Sequence, residues 1–166
     1  MVGWGSGEKR GNIEAMARVQ FQLTRNFDAS ARMLWNELVD WPGHGKWIPM
    51  TTIEGAPGDP TEVGYTFTAW TGLRPLALED RMKVTRCDWD EQAGTGACDV
   101  AKLGPILRGT AGFTVRAGDG GGAVLDWYED VHVPYLPGFL APVAAFAGRA
   151  GFSAAMRKLA KLLAAG

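Results

Sequence analysis

Glu129 is the residue in this chain best placed to do chemistry. In the run Leu125-Asp-Trp-Tyr-Glu-Asp-Val131, strict alternation assigns Leu125, Trp127 and Val131 to one face, and the same phase carries Glu129 inward. A carboxylate removed from water must find a donor or keep its proton, and a raised pKa suits general acid/base work. Glu129 is therefore the candidate catalytic residue. The blander alternatives are a pairing with an arginine, for which Arg108 and Arg81 are available, or a place near the wet end of the strand. His132 falls on the opposite phase, with Asp126, Tyr128 and Asp130, and is expected to face solvent. His44 sits in a Gly-rich connection between Trp41 and Trp47; a plain loop histidine is expected, with a place at a pocket entrance as the alternative. Two separated histidines without an acidic cluster do not make a metal site. No metal and no cofactor are expected.

Other chemistries find little support. No serine stands in a GxSxG setting and neither cysteine has a histidine beside it in sequence. Cys87 and Cys98 are too few for a disulfide framework. On adjacent strands of one hairpin they would face each other, and two reduced, inert thiols are the expectation in a cytosolic setting. Gly118-Asp-Gly-Gly-Gly122 lacks the Lys-Ser/Thr of a phosphate-binding loop and reads as a hairpin turn.

The elements that must position Glu129 follow from periodicity. Arg18 to Thr24 alternates, placing Val19, Phe21 and Leu23 on one face of a first strand. Asp28 offers an N-cap for a helix over Ala29 to Val39, and the Pro- and Gly-rich segment after it allows one helical turn around Gly45 to Ile48. Short extended runs follow: Thr51 to Glu54, Glu62 to Thr71, Leu76 to Cys87, Ala97 to Leu103, Ile106 to Arg116 and Ala123 to Val133, with a polar hairpin loop over Asp88 to Gly96. The inward list is Tyr65, Phe67, Ala69, Met82, Val84, Phe113, Val115, Leu125, Trp127, Glu129 and Val131. From Phe139 to Ala165 the chain turns Ala-rich. Phe152, Met156, Leu159 and Leu163 form one apolar stripe of a helix, and Pro142, Gly148 and Gly151 predict a bend in its first half.

The order strand, two short helices, six strands, long helix predicts an α+β domain: a seven-stranded curved antiparallel sheet with the C-terminal helix across one face. Residues 1–15 are read as a flexible tail and 16–166 as a single domain. The composition of the 166 residues fits this, with 46% hydrophobic and 21% charged residues. Seventeen basic and eighteen acidic residues leave a net charge of −1 with no basic stripe, which argues against nucleic acid. No unbroken run reaches the roughly 20 apolar residues of a membrane span. A cytoplasmic monomer or homodimer is expected.

Several segments carry a resemblance. Trp35-Asn-Glu-Leu-Val-Asp40, Trp47-Ile-Pro49, Glu62-Val-Gly64 and Met82-Lys-Val-Thr-Arg-Cys-Asp88 are similar, in order and spacing, to the SRPBCC superfamily, which includes START domains, Bet v 1-like proteins and the polyketide cyclase/dehydrase family. Leu107-Arg-Gly-Thr-Ala-Gly-Phe113 and Leu125-Asp-Trp-Tyr-Glu129 resemble its actinobacterial members. The resemblance runs from Arg18 to Leu163 and implies a helix-grip fold with a cavity between sheet and helix. Fold does not fix activity, so the inward residues must decide it.

Three functions are consistent with those residues. The first is a carrier or sensor for a small hydrophobic, lipid- or polyketide-like ligand, held by Tyr65, Phe67, Met82, Val84, Phe113, Trp127 and Glu129, with Trp47 and Phe139 at the rim. The second is a cyclase/dehydratase-type enzyme using Glu129, Tyr65 or His44 to move protons on a polyketide-like substrate. The third is a regulatory module that binds a protein partner.

Overall fold

A computed structural model describes residues 16–73 and 75–166; the expected tail lies outside them. Seven strands form one antiparallel sheet: β1 (Met16–Phe27), β2 (Thr51–Gly55), β3 (Thr66–Thr71), β4 (Leu78–Asp90), β5 (Thr95–Leu103), β6 (Arg108–Ala117) and β7 (Ala123–Pro134). Their order in the sheet is β1-β7-β6-β5-β4-β3-β2, so each strand from β2 onward pairs with its successor and the first pairs with the last. The β1–β7 register runs unbroken from Met16 opposite Pro134 to Phe27 opposite Ala123. Between β1 and β2 come α1 (Ala31–Val39) and a 3₁₀ segment, Trp41–Lys46; α2 (Ala141–Ala164) ends the chain. This is the helix-grip α+β fold that the sequence predicted, a seven-stranded antiparallel sheet with a long C-terminal helix.

The pleat explains which face is buried. Val19, Leu23 and Phe27 of β1 are buried, while Arg18, Gln20 and Thr24 point to water. On that outer face Arg18 bridges to Asp130 at 2.7 Å and the Thr24 hydroxyl donates to Asp126 at 2.6 Å. Such exposed pairs stay hydrated and screened and contribute little to stability. The inner face carries the core.

Local boundaries differ from the sequence expectation in several places: the strand expected from Glu62 begins only at Thr66, after a turn. Helix α1 is capped by Ser30, not Asp28: Ser30 is extended and its Oγ accepts the Met33 N–H at 3.3 Å. The helical turn after it spans Trp41–Lys46 rather than Gly45 to Ile48, because the Asp40 carboxylate accepts the Gly43 N–H and Pro42 suits a first turn. The β4–β5 hairpin loop is shorter than Asp88 to Gly96. Asp88 and Trp89 pair with Ala97 and Gly96, and Asp90 Oδ1 accepts the N–H groups of Gln92 and Ala93.

Helix α2 also differs, since its 24 residues run without interruption. Pro142 lies in the first turn, where a missing N–H leaves no bond unmade. Gly148 is a close approach rather than a break: a Cβ there would lie 2.8 Å from the Phe21 ring. The stretch Gly138–Ala164 is long and apolar enough to cross a membrane by length and composition, an 18-residue window within it having mean hydropathy 1.3. That departs from the expectation based on unbroken runs, because an average tolerates an isolated charge such as Arg149. In this fold the helix lies against β1, with Ala155, Met156 and Leu159 buried.

Candidate functional site

Between α2 and the concave face of the sheet lies a cavity of about 670 Å³. Its closed end is aromatic. Leu34, Trp35 and Leu38 of α1 are buried beneath the sheet, and Trp41 stacks on Phe67 with ring centroids 4.3 Å apart. Phe113 stacks on Trp127 at 5.6 Å, and Trp127 meets Phe152 of α2 at 5.0 Å. The far end is bounded by Pro49, Leu78, Leu107 and Leu136, and Met50, Leu76, Ile106 and Tyr135, each within two residues of one of them, are exposed. Met50 and Tyr135 have φ of 52° and 63°, a backbone region unfavourable for non-glycine residues, so both segments flanking this end are strained.

Between these apolar zones sits a buried ionic cluster. Lys102 Nζ is 2.5 Å from Asp80 Oδ2 and 3.4 Å from Glu129 Oε2, and lies 3.8 Å from Met82 Sδ. The three residues are 6–8% exposed. Strand register puts them together. Lys102 stands opposite Met82 on one side and Gly109 on the other, and Glu129 stands opposite Ala111. Between the lysine and Glu129, β6 places only Gly109 and Ala111, nothing larger than a methyl group, and the lysine chain can lie across them. Gly109 is also at φ 144°, with Asp130 O only 2.1 Å from where a Cβ would be, so glycine is required there.

Burial pushes the Glu129 carboxyl above its usual range and Asp80 adds to the push, against the pull of Lys102. Burial alone would lower the Lys102 ammonium, but the carboxylates of Glu129 and Asp80 more than offset it and its pKa is raised. Two acids share one cation. Among the described residues Lys102 is the only lysine or arginine lining the cavity, and Asp80 Oδ1 is buried without a hydrogen bond.

Of the residues singled out from the sequence, Phe67, Met82, Phe113, Trp127 and Glu129 line the cavity, whereas Tyr65, Val84, Trp47 and Phe139 do not. Val84 and Trp47 are wholly buried behind it, and Phe139 is 80% exposed just before α2. Tyr65 is half-buried before β3, its hydroxyl beside Gly55. Neither arginine named as a partner reaches Glu129: Arg81 bridges to Glu79 at 3.1 Å and Arg108 is exposed. His44 is not a loop histidine at the surface. It is 3% exposed, lines the cavity, and its Nε2 lies 2.8 Å from Leu38 O. Burial lowers its pKa to about 4. His132 is half-buried. Cys87 and Cys98 do face each other across β4 and β5, as free thiols.

Asp80 and Lys102 were missed by the sequence reading although the signal was present. Asp80 has the phase of Met82 and Val84, and Lys102 that of Cys98 and Val100. Charged residues near strand ends default to solvent, and only the cross-strand register reveals their convergence.

Solved structures share this architecture. The protein of unknown function SA2116 from Staphylococcus aureus matches with TM-score 0.71 at 11% identity, over 90% of this chain and 96% of that one. Protein CV1439 from Chromobacterium violaceum matches with TM-score 0.61 at 17% identity, over 87% and 96%. Ara h 8.0201 matches with TM-score 0.57 at 15% identity, over 90% and 100%. No curated protein matches the chain. The family model described as polyketide cyclase/dehydrase and lipid transport matches residues 18–164, and the chain belongs to that family.

Proposed function

We propose that this protein binds a small hydrophobic, lipid- or polyketide-like molecule between sheet and helix, as a carrier or sensor in the cytoplasm. One observation carries the reading: a cavity of about 670 Å³ that is apolar except for a few convergent polar groups, within the size and character usual for small-molecule sites. Family membership supports it. Phe67, Met82, Phe113 and Trp127 supply contact area and the ionic cluster supplies an anchor.

Displacement of the fluorescent probe N-phenyl-1-naphthylamine, together with native mass spectrometry of freshly purified protein, tests it. Saturable probe binding near one per chain is expected. A cavity that admits no probe and carries no extractable ligand overturns the reading. The buried carboxyl of Glu129, held above its usual pKa, favours a second reading as a cyclase or dehydratase. Glu129→Gln separates them: a carrier changes affinity and leaves its ligand chemically unaltered, whereas an enzyme stops converting it.

A further inference from the structure

The ionic cluster narrows the class of ligand, on the footing that the cavity binds one. We infer that the cavity selects apolar molecules bearing a hydrogen-bond donor, a protonated amine or a hydroxyl, at one end, seated on the Asp80–Lys102–Glu129 cluster, and discriminates against acceptor and carboxylate ends.

The argument starts from counting donors and acceptors. Two carboxylates bring four oxygens; one ammonium brings three N–H groups. Lys102 Nζ is 2.5 Å from Asp80 Oδ2 and 3.4 Å from Glu129 Oε2. Asp80 Oδ1 is left buried with no partner among the described residues. A buried acceptor without a donor is costly, and a ligand that supplies the donor recovers that loss on binding. Of the other polar groups around the cavity, His44 Nε2 is engaged with Leu38 O and the Thr51 and Thr71 hydroxyls with each other at 2.9 Å, while the buried Trp127 indole N–H is directed to the Glu129 side of the cluster and leaves Asp80 Oδ1 unserved.

Charge points the same way. With both acids ionised the cluster carries one surplus negative charge, in surroundings whose other lining residues are mostly apolar. A carboxylate end would add a third negative group around an ammonium already shared by two acids. An ester or ketone end offers only acceptors, which leave the free Asp80 oxygen unsatisfied and cancel no charge. An ammonium satisfies the free acceptor and cancels the surplus charge; a hydroxyl satisfies the acceptor alone. The order expected is amine, then alcohol, then ester, then acid.

Four molecules with similar tails test this: decylamine, decanol, methyl decanoate and decanoate, each competed against N-phenyl-1-naphthylamine at pH 7.5. The amine and the alcohol are expected to bind at least tenfold more tightly than the ester and the acid. In Asp80→Asn, shown to be folded by circular dichroism, that preference should fall to within about threefold while probe binding persists. Glu129→Gln provides a second variant, in which the amine's advantage over the alcohol shrinks because the surplus charge is gone. Decanoate or the ester binding as tightly as decanol overturns the inference and leaves the cavity reading intact. If neither the probe nor any of the four enters, the cavity reading fails and this one with it.

Discussion

Replacing Lys102 by methionine tests the ionic cluster most directly. The substitution keeps an unbranched chain of similar length and removes the charge. Asp80 and Glu129, 8% and 6% exposed, are then left together without a cation. Taking one partner from a buried ion pair costs about 3–5 kcal/mol, because the surviving charge is neither hydrated nor paired. For a chain of 166 residues each kcal/mol moves the midpoint by about 2–4 °C, so Tm should fall by about 6–20 °C at pH 8. The deficit must depend on pH with a definite sign. Without Lys102 the Glu129 carboxyl, already raised by burial, loses the cation that pulls it down, so the folded state holds a proton that the unfolded state releases. Stability is then retained at low pH and lost as pH rises through that raised value. Urea denaturation of both proteins at pH 5 and pH 8 should show the smaller gap at pH 5. The triple variant Lys102→Met, Asp80→Asn, Glu129→Gln should recover most of the loss, as neutral replacements of buried ion clusters often do. A gap below about 1 kcal/mol at pH 8, or one that does not change with pH, would refute the reasoning, since solvated charges behave in that way.

His44 should act in the opposite sense. Its folded pKa is about 4 against 6.5 unfolded, so its contribution is complete above pH 6.5 and is lost as pH falls toward 4. The total is about 3 kcal/mol, read as the difference in urea stability between wild type and His44→Asn at pH 7.5 and pH 4.5; an unchanged difference refutes burial of the neutral ring. Gly109→Ala should destabilise by about 2–4 kcal/mol, because φ of 144° and a backbone oxygen 2.1 Å from the added methyl leave no relaxed conformation. A melting temperature within a degree or two of wild type would show that β6 does not hold that conformation.

How much of this was legible in the sequence depended on how local the cause was. Alternation in Arg18 to Thr24 and in Leu125 to Val131 gave the inner face, because side chains in a strand alternate whatever the strand pairs with. It turned Glu129 inward correctly. It could not supply Glu129's partner, because Lys102 meets it only through the register of three strands and the absence of side-chain bulk at Gly109 and Ala111. The arginines chosen instead, Arg81 and Arg108, lie on the solvent side. His44 shows the same limit: a Pro- and Gly-rich connection reads as surface, but the aromatic rings of Trp41 and Trp47, 5.3 and 4.5 Å from its own, enclose it. In α2, breaker residues were read for conformation alone. Pro142 starts the helix and Gly148 admits the ring of Phe21.

That last point explains why a cavity exists here at all. Toward the sheet, α2 presents Ala144, Ala147, Gly148 and Gly151 in its first half, and Phe152, Met156 and Leu159 in its second. Phe152 packs on the ring of Trp127, and the small residues line the cavity without filling it. The two glycines have different consequences. At Gly148 an added Cβ would press on Phe21, itself 5.6 Å from Phe152, whereas at Gly151 it meets nothing within 4 Å. Gly151→Leu should therefore gain about 1 kcal/mol of helix propensity, keep or raise Tm, and place its side chain in the empty volume, weakening N-phenyl-1-naphthylamine binding at least fivefold. Gly148→Leu should instead lower Tm, since ring and backbone must separate to admit it. Were Gly151→Leu to bind the probe as wild type does, the space beside the first half of α2 would not be where ligand sits.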